Sequence, residues 1–304
     1  MKQKRLIKHK ILFSILILIL FLPLVSAAQN VGVGLYILNL GKFDVSSGSF
    51  TADFYLSLKC KANCSPDFEF LNGRASSVDK IIDTPTEKFY RIQANLNSPV
   101  NLENFPFDSQ NMQIILEDKK SQIDDLKYVP LKSESGIDES IAFTGWNLEG
   151  WEAKSEAHHY PIYNETYSQY VYNIKIARIG FNSFFKTFLP VLFIMLIALF
   201  TFIMDPDKIT TRLTVTTSSL VASVMFHISI SNQIPPVGYL TIADQFMILT
   251  YFILLASAVL NIIMLELLEQ RKTELVEKIH RKTEYGVFIV VPVLYILFFM
   301  VILI

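Results

Sequence analysis

The sequence predicts a two-part membrane protein: a β-sandwich built from the first half of the chain, followed by a four-helix transmembrane bundle. Three observations carry this expectation. The 304 residues are 51% hydrophobic and 18% charged, with a mean hydropathy of +0.37, which is more apolar than an ordinary soluble domain. The apolar residues are unevenly placed, with a soluble-looking stretch up to about residue 180 and an almost wholly apolar one after Phe184. Short β-type runs fill the first stretch and long uncharged runs fill the second. A formal net charge of -1 leaves no electrostatic footprint for nucleic acid, so none is expected as a partner.

The chain opens with MKQKRLIKHK, then the apolar ILFSILILILFLPLV, then the small residues SAAQN. This basic, apolar, cleavable order predicts a secretory signal peptide over 1–28, cut after Ala27 or Ala28. A retained anchor is the rival reading, against which the apolar run is short for a span of about 20 residues. Export would place the next domain in an oxidising space, where Cys60 and Cys64 form a candidate disulfide. Their spacing permits a tight loop, and the separation of their alpha carbons decides whether they pair. Asn63-Cys64-Ser65 and Asn164-Glu165-Thr166 match glycosylation acceptors.

From 29 to 180 the runs VGLYILNL, SFTADFYLSLK, KFYRIQANL, NMQIILE and YVYNIKIAR alternate or are rich in β-branched and aromatic residues. DVSSGS, LNGR, NSP and SESG separate them as turns. Many short strands in this length predict a sandwich. From 181 to 304, four helices are expected at about 183–204, 208–232, 241–268 and 284–304. An exported N-terminal domain puts both chain ends outside, giving a multi-pass protein of the plasma or inner membrane. The inner linker, 266–286, carries Arg271, Lys272, Lys278, Arg281 and Lys282, mildly favouring the cytoplasmic side. It leaves no room for a cytoplasmic output domain.

The second apolar run, ITTRLTVTTSSLVASVMFHISIS, is too apolar for a surface and too hydroxylated for lipid. On a helical wheel Thr214, Ser218, Val221, Met225 and Ile228 share an arc of roughly 80°, which extends back to Thr210 and Thr211. Arg212 falls nearly opposite. Two readings fit. Hydroxyls can bond to their own helix carbonyls and help helices pack. Alternatively, the stripe lines a water-filled lumen, with hydroxyl rings at the inner end and apolar rings outside that close by dewetting. Only the lumen explains why polarity is graded along the stripe.

The segment Ser98 to Met112, SPVNLENFPFDSQNM, resembles the signature loop of the pentameric ligand-gated ion channels, the Cys-loop receptor superfamily. FPFDSQ, Phe105 to Gln110, is its core. Ser98 and Met112 stand where animal receptors have cysteines, so the signature disulfide is absent, as in prokaryotic members. GLYILNLGKFDVSSGSFTADFYLSL is similar to the first two strands of that family, and QIPPVGYLTIADQ to the connection between its second and third membrane helices. Arg178 and Pro190 also match. The resemblance runs from about Val31 to Ile304.

The resemblance implies a homopentamer around a central pore, with extracellular immunoglobulin-like sandwiches and the second helix lining the lumen. Function would be a ligand-gated or proton-gated ion channel in which agonist binds between subunits. Thr210, Thr211, Thr214, Ser218, Val221, Met225 and Ile228 then become pore-lining, with Val221, Met225 and Ile228 as the hydrophobic gate. The alternative for the last three is plain packing between neighbouring helices. Thr210 and Thr211 fit neither the cation nor the anion filter of the family. Asp205 and Asp207 near the inner mouth favour cations, or are simply solvated turn residues.

On the agonist side the resemblance points to Tyr55 on one face and to Tyr160, Tyr163 and Tyr167 on the capping hairpin of the other. Ordinary strand packing is the alternative for each tyrosine. Two further box positions hold Leu71 and Lys119, and a lysine would repel a caged amine. An acidic ligand or protons are therefore expected. For coupling, Asp108 and Arg178 are expected to pair at the membrane boundary, joined by Asp44, above Pro235 and Pro236. A purely structural pair is the alternative.

His158 and His159 are adjacent on a strand and so make a poor metal site. His227 lies off the stripe and faces other helices as an intramembrane ionisable group. No nucleophile elbow, phosphate loop or HExxH motif is present, so neither enzyme activity nor a cofactor or metal is expected. Membrane lipid, permeant ions and a small extracellular ligand or protons complete the expected partners. A non-conducting receptor signalling through other proteins is the main rival, and a membrane enzyme using His158 and His159 a second.

Overall fold

The computed structural model of the chain describes residues 28–62 and 66–303. The expected leader and Cys64, with its sequon, lie outside them, apart from Ala28. Ten strands come first: β1 (Gln29–Leu40), β2 (Ser49–Cys60), β3 (Phe68–Phe70), β4 (Gly73–Asp83), β5 (Glu87–Asn97), β6 (Ser109–Asp118), β7 (Leu126–Pro130), β8 (Gly136–Ile137), β9 (Trp146–Tyr160) and β10 (Glu165–Arg178). Among the described residues they form two sheets. One is ordered β4-β5-β2-β1-β7, with β8 also on β1; the other is ordered β3-β6-β10-β9. The β1–β7 and β1–β8 pairs are parallel and the rest antiparallel.

The two sheets face each other because their apolar residues recur every second position. Val31, Val33, Leu35 and Ile37 of β1 meet Phe54, Leu56 and Leu58 of β2 on one side of the core. Met112, Ile114 and Leu116 of β6 and Tyr172, Ile174 and Ile176 of β10 fill the other. Trp146 is buried and meets the edge of Phe43 at 6.0 Å, while Trp151 stacks on Tyr172 at 5.2 Å. Cys60, at the end of β2, is disulfide-bonded.

Four helices follow, each long and apolar enough to cross a membrane: α1 (Gly180–Ile203), α2 (Ile209–Ser231), α3 (Ile242–Glu269) and α4 (Thr273–Leu303). A break at Phe188 divides α1 into Gly180–Thr187 and Leu189–Phe200, and a 3-10 turn closes it at Thr201–Ile203. Pro190 stands at the start of the second piece, where it has no N–H to give the preceding turn. Thr241 and Asp244 cap α3 reciprocally.

The fourth helix differs from expectation. It begins at Thr273 rather than near 284, so most of the expected linker 266–286 is helical. TELVEKIHRKTEY is charged enough to fail a hydropathy test, yet it is amphipathic. Its Val276 is buried at the foot of the bundle with Phe202, Ile209 and Met264. Glu and Lys are good helix formers, so nothing local stops the helix at the membrane surface.

Candidate functional site

The site is built on α2. Its hydroxyls are compatible with a helix because several bond to the turn before: Thr214, Thr216 and Thr217 each donate at 2.9 Å, to the carbonyls of Thr210, Arg212 and Leu213. Thr214 lies on the graded stripe, so local bonding reaches the stripe as well as the positions off it. The tertiary structure separates the two sides of the helix. Ile209, Arg212, Thr216, Ser219, Ser223 and Ile230 are buried. Thr210, Thr211, Thr214 and Ser218 are exposed in the subunit, as are Val221 (62%), Met225 (63%) and Ile228 (50%). Asp205 and Asp207 are exposed at the inner connection.

Two ionisable residues tie α2 to its neighbours. His227 bonds through Nε2 to Asp244 Oδ1 at 2.8 Å and through Nδ1 to the Tyr251 hydroxyl at 2.9 Å, both on α3. Arg212 is wholly buried, with its guanidinium 5.0 Å from the Phe202 ring centroid and Nη1 at 3.4 Å from His280 Nδ1 of α4. No sequence signal picked out His280, because its partner is 68 residues away.

At the outer end, the FPFD loop sits on the helices. Leu102 and Phe105 pack with Ile230 and Ala243. Ile242 N–H donates to the Glu103 carbonyl and Ala243 N–H to that of Phe105, both at 3.1 Å. The Leu102 N–H donates to the Tyr239 hydroxyl at 2.8 Å. With no cysteine at either end, packing and hydrogen bonds hold the loop. Met112 is buried in the sandwich, Ser98 Oγ accepts from the Gln113 N–H at 2.8 Å, and Gln110 bridges to Asn101. Phe105–Pro106 is a cis peptide.

Arg178 Nε and Nη2 donate to Asp108 Oδ1 and Oδ2 at 2.7 and 3.2 Å, a forked pair whose carboxylate is 1% exposed. The guanidinium lies 4.4 Å from the Trp146 ring centroid and 5.1 Å from that of Phe105. Asp44 does not join the pair. It faces the same cavity of about 730 Å³, but its carboxylate accepts from the Ser46 N–H and from the hydroxyls of Ser46 and Ser47. Those bonds, the Ser46 hydroxyl first, hold Asp44 below the usual carboxylate range. A short loop satisfies its own acid more readily than a distant cation does. Pro235 is half-buried and Pro236 exposed in the α2–α3 connection.

The tyrosines fall into two groups on different sheets. Tyr160 and Tyr167 meet edge to face at 5.8 Å on the β9–β10 hairpin, while Tyr163 is 71% exposed at its tip beside Asn164, whose φ is 54°. Tyr55 lies on β2 of the other sheet, stacked on Phe89 at 5.2 Å and opposite Arg91 in the ladder. Within one subunit Tyr55 does not join the hairpin tyrosines.

The centre of the hairpin group is a residue that sequence reasoning missed. Glu117 of β6 is buried and accepts from Tyr160 OH at 3.0 Å and His158 Nδ1–H at 2.9 Å. Burial, then the bond to Glu117, pushes the Tyr160 hydroxyl up to about 12. A bond to Glu165 raises Tyr167. The nearest signal was an acid placed inside a strand pattern. His159, on the opposite face, meets Thr166 Oγ1 at 3.0 Å. Lys119 is already answered by Asp67 at 2.8 Å, a bond that raises the ammonium and lowers the acid.

No family model matches the chain. Its sequence is 22% identical over 256 residues to a proton-gated ion channel of Gloeobacter violaceus, covering 75% of this chain and 71% of the relative. It is 24% identical over 210 residues to ligand-gated ion channel 50 of Caenorhabditis elegans, covering 64% and 41%. It is 28% identical over 174 residues to human 5-hydroxytryptamine receptor 3B, covering 55% and 39%. The chain is thus similar, over most of its length, to proton-gated and ligand-gated ion channels. With its four apolar spans and these channel relatives, it is a multi-pass membrane protein with an extracellular N-terminal domain. In chain order α2 is the second membrane helix, and the FPFD loop lies between Ser98 and Met112.

Proposed function

We propose that this chain works as a homopentameric ligand-gated ion channel whose pore is lined by the exposed stripe of α2. The observation that carries this reading is the two-sidedness of that helix. One face is packed into the bundle, and the other, graded from Thr210 to Ile228, is left uncovered by its own subunit. A hydroxyl-rich face is poorly suited to lipid. Five copies around an axis give it water, with hydroxyl rings at the inner mouth and Val221, Met225 and Ile228 as a dewetting gate.

Agonist binding between subunits is supported by the split of the aromatic residues. Tyr160, Tyr163 and Tyr167 lie on the β9–β10 hairpin of one sheet and Tyr55 on the other sheet, so a neighbouring copy completes the group. Lys119 and its partner Asp67 sit at the edge of the hairpin half. Protons or a small acid are the agonist class, in line with the proton-gated relative. Exposed Asp205 and Asp207 favour cations at the inner mouth. The FPFD loop, the Asp108–Arg178 pair and the Pro235–Pro236 connection transmit the extracellular change to α2. The protein catalyses no reaction in this reading.

The test is reconstitution into planar bilayers with asymmetric salt, while pH and small carboxylic acids are varied on the extracellular side. Gated currents with a reversal potential on the cation side are expected. Intact oligomers that pass no current under any of these conditions would support a non-conducting receptor instead.

A further inference from the structure

The inner end of α2 is held by an unusual partner. Arg212 is a fully buried cation with no carboxylate bonded to it among the described residues. Among the described residues the guanidinium's Nε and Nη2 have no hydrogen-bond partner, and its one polar contact is Nη1 with His280 Nδ1 at 3.4 Å. The face of Phe202 supplies the rest. Buried charges are ordinarily paired, so this contact matters more than its length alone suggests. An arginine has only donors to offer. The imidazole must therefore present a lone pair at Nδ1, which requires the neutral ring with its proton on Nε2.

We propose that His280 is a sensor of cytoplasmic pH whose protonation releases the inner end of the pore helix. A proton arriving at Nδ1 turns the acceptor into a donor and sets two positive groups against each other. The Arg212 guanidinium then loses its imidazole partner while remaining buried. The groups that face His280 can be named. From α2 comes Arg212, from the α1–α2 connection Asp205, and from α4 itself Glu284, one turn on. To this cluster α1 gives the Phe202 ring and α3 gives apolar Met264. Both acids welcome a positive imidazole, and both are places for the freed guanidinium to go. Either move displaces Thr211, the exposed neighbour of Arg212 at the inner mouth. Imidazoles change charge between about pH 5 and 8, the range in which a cytoplasm acidifies.

This inference rests on the proposed pore, and the test separates the two. In inside-out patches, the open probability of the full-length channel at fixed extracellular conditions should change roughly tenfold between cytoplasmic pH of about 8 and about 6, the size expected for one hydrogen bond to a charged group. His280→Asn keeps a neutral acceptor and should flatten that response, with His280→Gln as a second neutral variant. His280→Lys should hold the acidic value at every cytoplasmic pH. A second readout needs no current: thiol labelling of Thr211→Cys from the cytoplasmic side of vesicles. The thiol's own pH response cancels in the ratio of the His280 and His280→Asn backgrounds. A pH-dependent ratio with no currents would retain the sensor and reject the channel. Equal cytoplasmic pH dependence in both backgrounds, by current or by labelling, would overturn the sensor.

Discussion

Replacing Arg178 by Met leaves the buried Asp108 carboxylate with one donor, the Gln110 Nε2 at 2.8 Å, in place of three. Asp108 is 1% exposed, so water does not make up the loss. Breaking a buried pair from one side costs about 3–5 kcal/mol, and most of that is the stranded charge. The guanidinium also leaves the faces of Trp146 and Phe105, worth about 0.5–2 kcal/mol more. Asp108→Asn in the same molecule removes the stranded charge, so the double variant should be less damaged than the sum of the singles by at least about 1.5 kcal/mol. Unfolding of the four proteins in detergent, followed by tryptophan emission, measures this directly, because Trp146 lies against the guanidinium. Singles that add within about 0.5 kcal/mol, or an Arg178→Met loss below about 1 kcal/mol, would refute the reasoning.

Other expectations concern the gate, the extracellular loops and the helix cap. Val221→Ser places hydroxyls in the apolar part of the stripe, and should give resting leak or lower the half-activating agonist concentration by at least about threefold in bilayer recordings. Glu134 is partly buried, which opposes its charge, but bonds from Lys59 and Ser57 prevail and hold it below the usual glutamate range. Its stabilisation is thus present above about pH 4.3 and lost as pH falls through the lower folded value. Glu134→Gln should remove about 0.5–1 kcal/mol at neutral pH and shrink to nothing in acid, as read by unfolding at a series of pH values. Thr241→Ala removes one half of the α3 capping box and should lower stability by about 1 kcal/mol, seen as a reduced melting temperature.

How much was legible in the sequence depended on the range of the signal. Alternation along β1, β2, β6 and β10 is a property of neighbours in sequence, and it marked these strands without any knowledge of strand order. The wheel position of the α2 stripe is equally local, since 3.6 residues per turn fixes which side chains share a face. The foot of α4 was misread for the same reason, because hydropathy averages over residues without asking what they touch. Val276 counts as one apolar residue among charges until Phe202 and Met264 are seen beside it.

The sequence by itself determined which segments cross the membrane, which runs form the strands of the sandwich, and which residues of α2 share one helical stripe. Each of these follows from periodicity and from transfer of side chains out of water, which act residue by residue. Only the tertiary structure decided who partners whom: Glu117 with His158 and Tyr160, Arg212 with His280, His227 with Asp244, and Asp44 with its own loop rather than with Arg178. A hydrogen bond needs two groups within about 3 Å and correctly aimed, and for most of these pairs that meeting is set by the packing of elements remote in sequence.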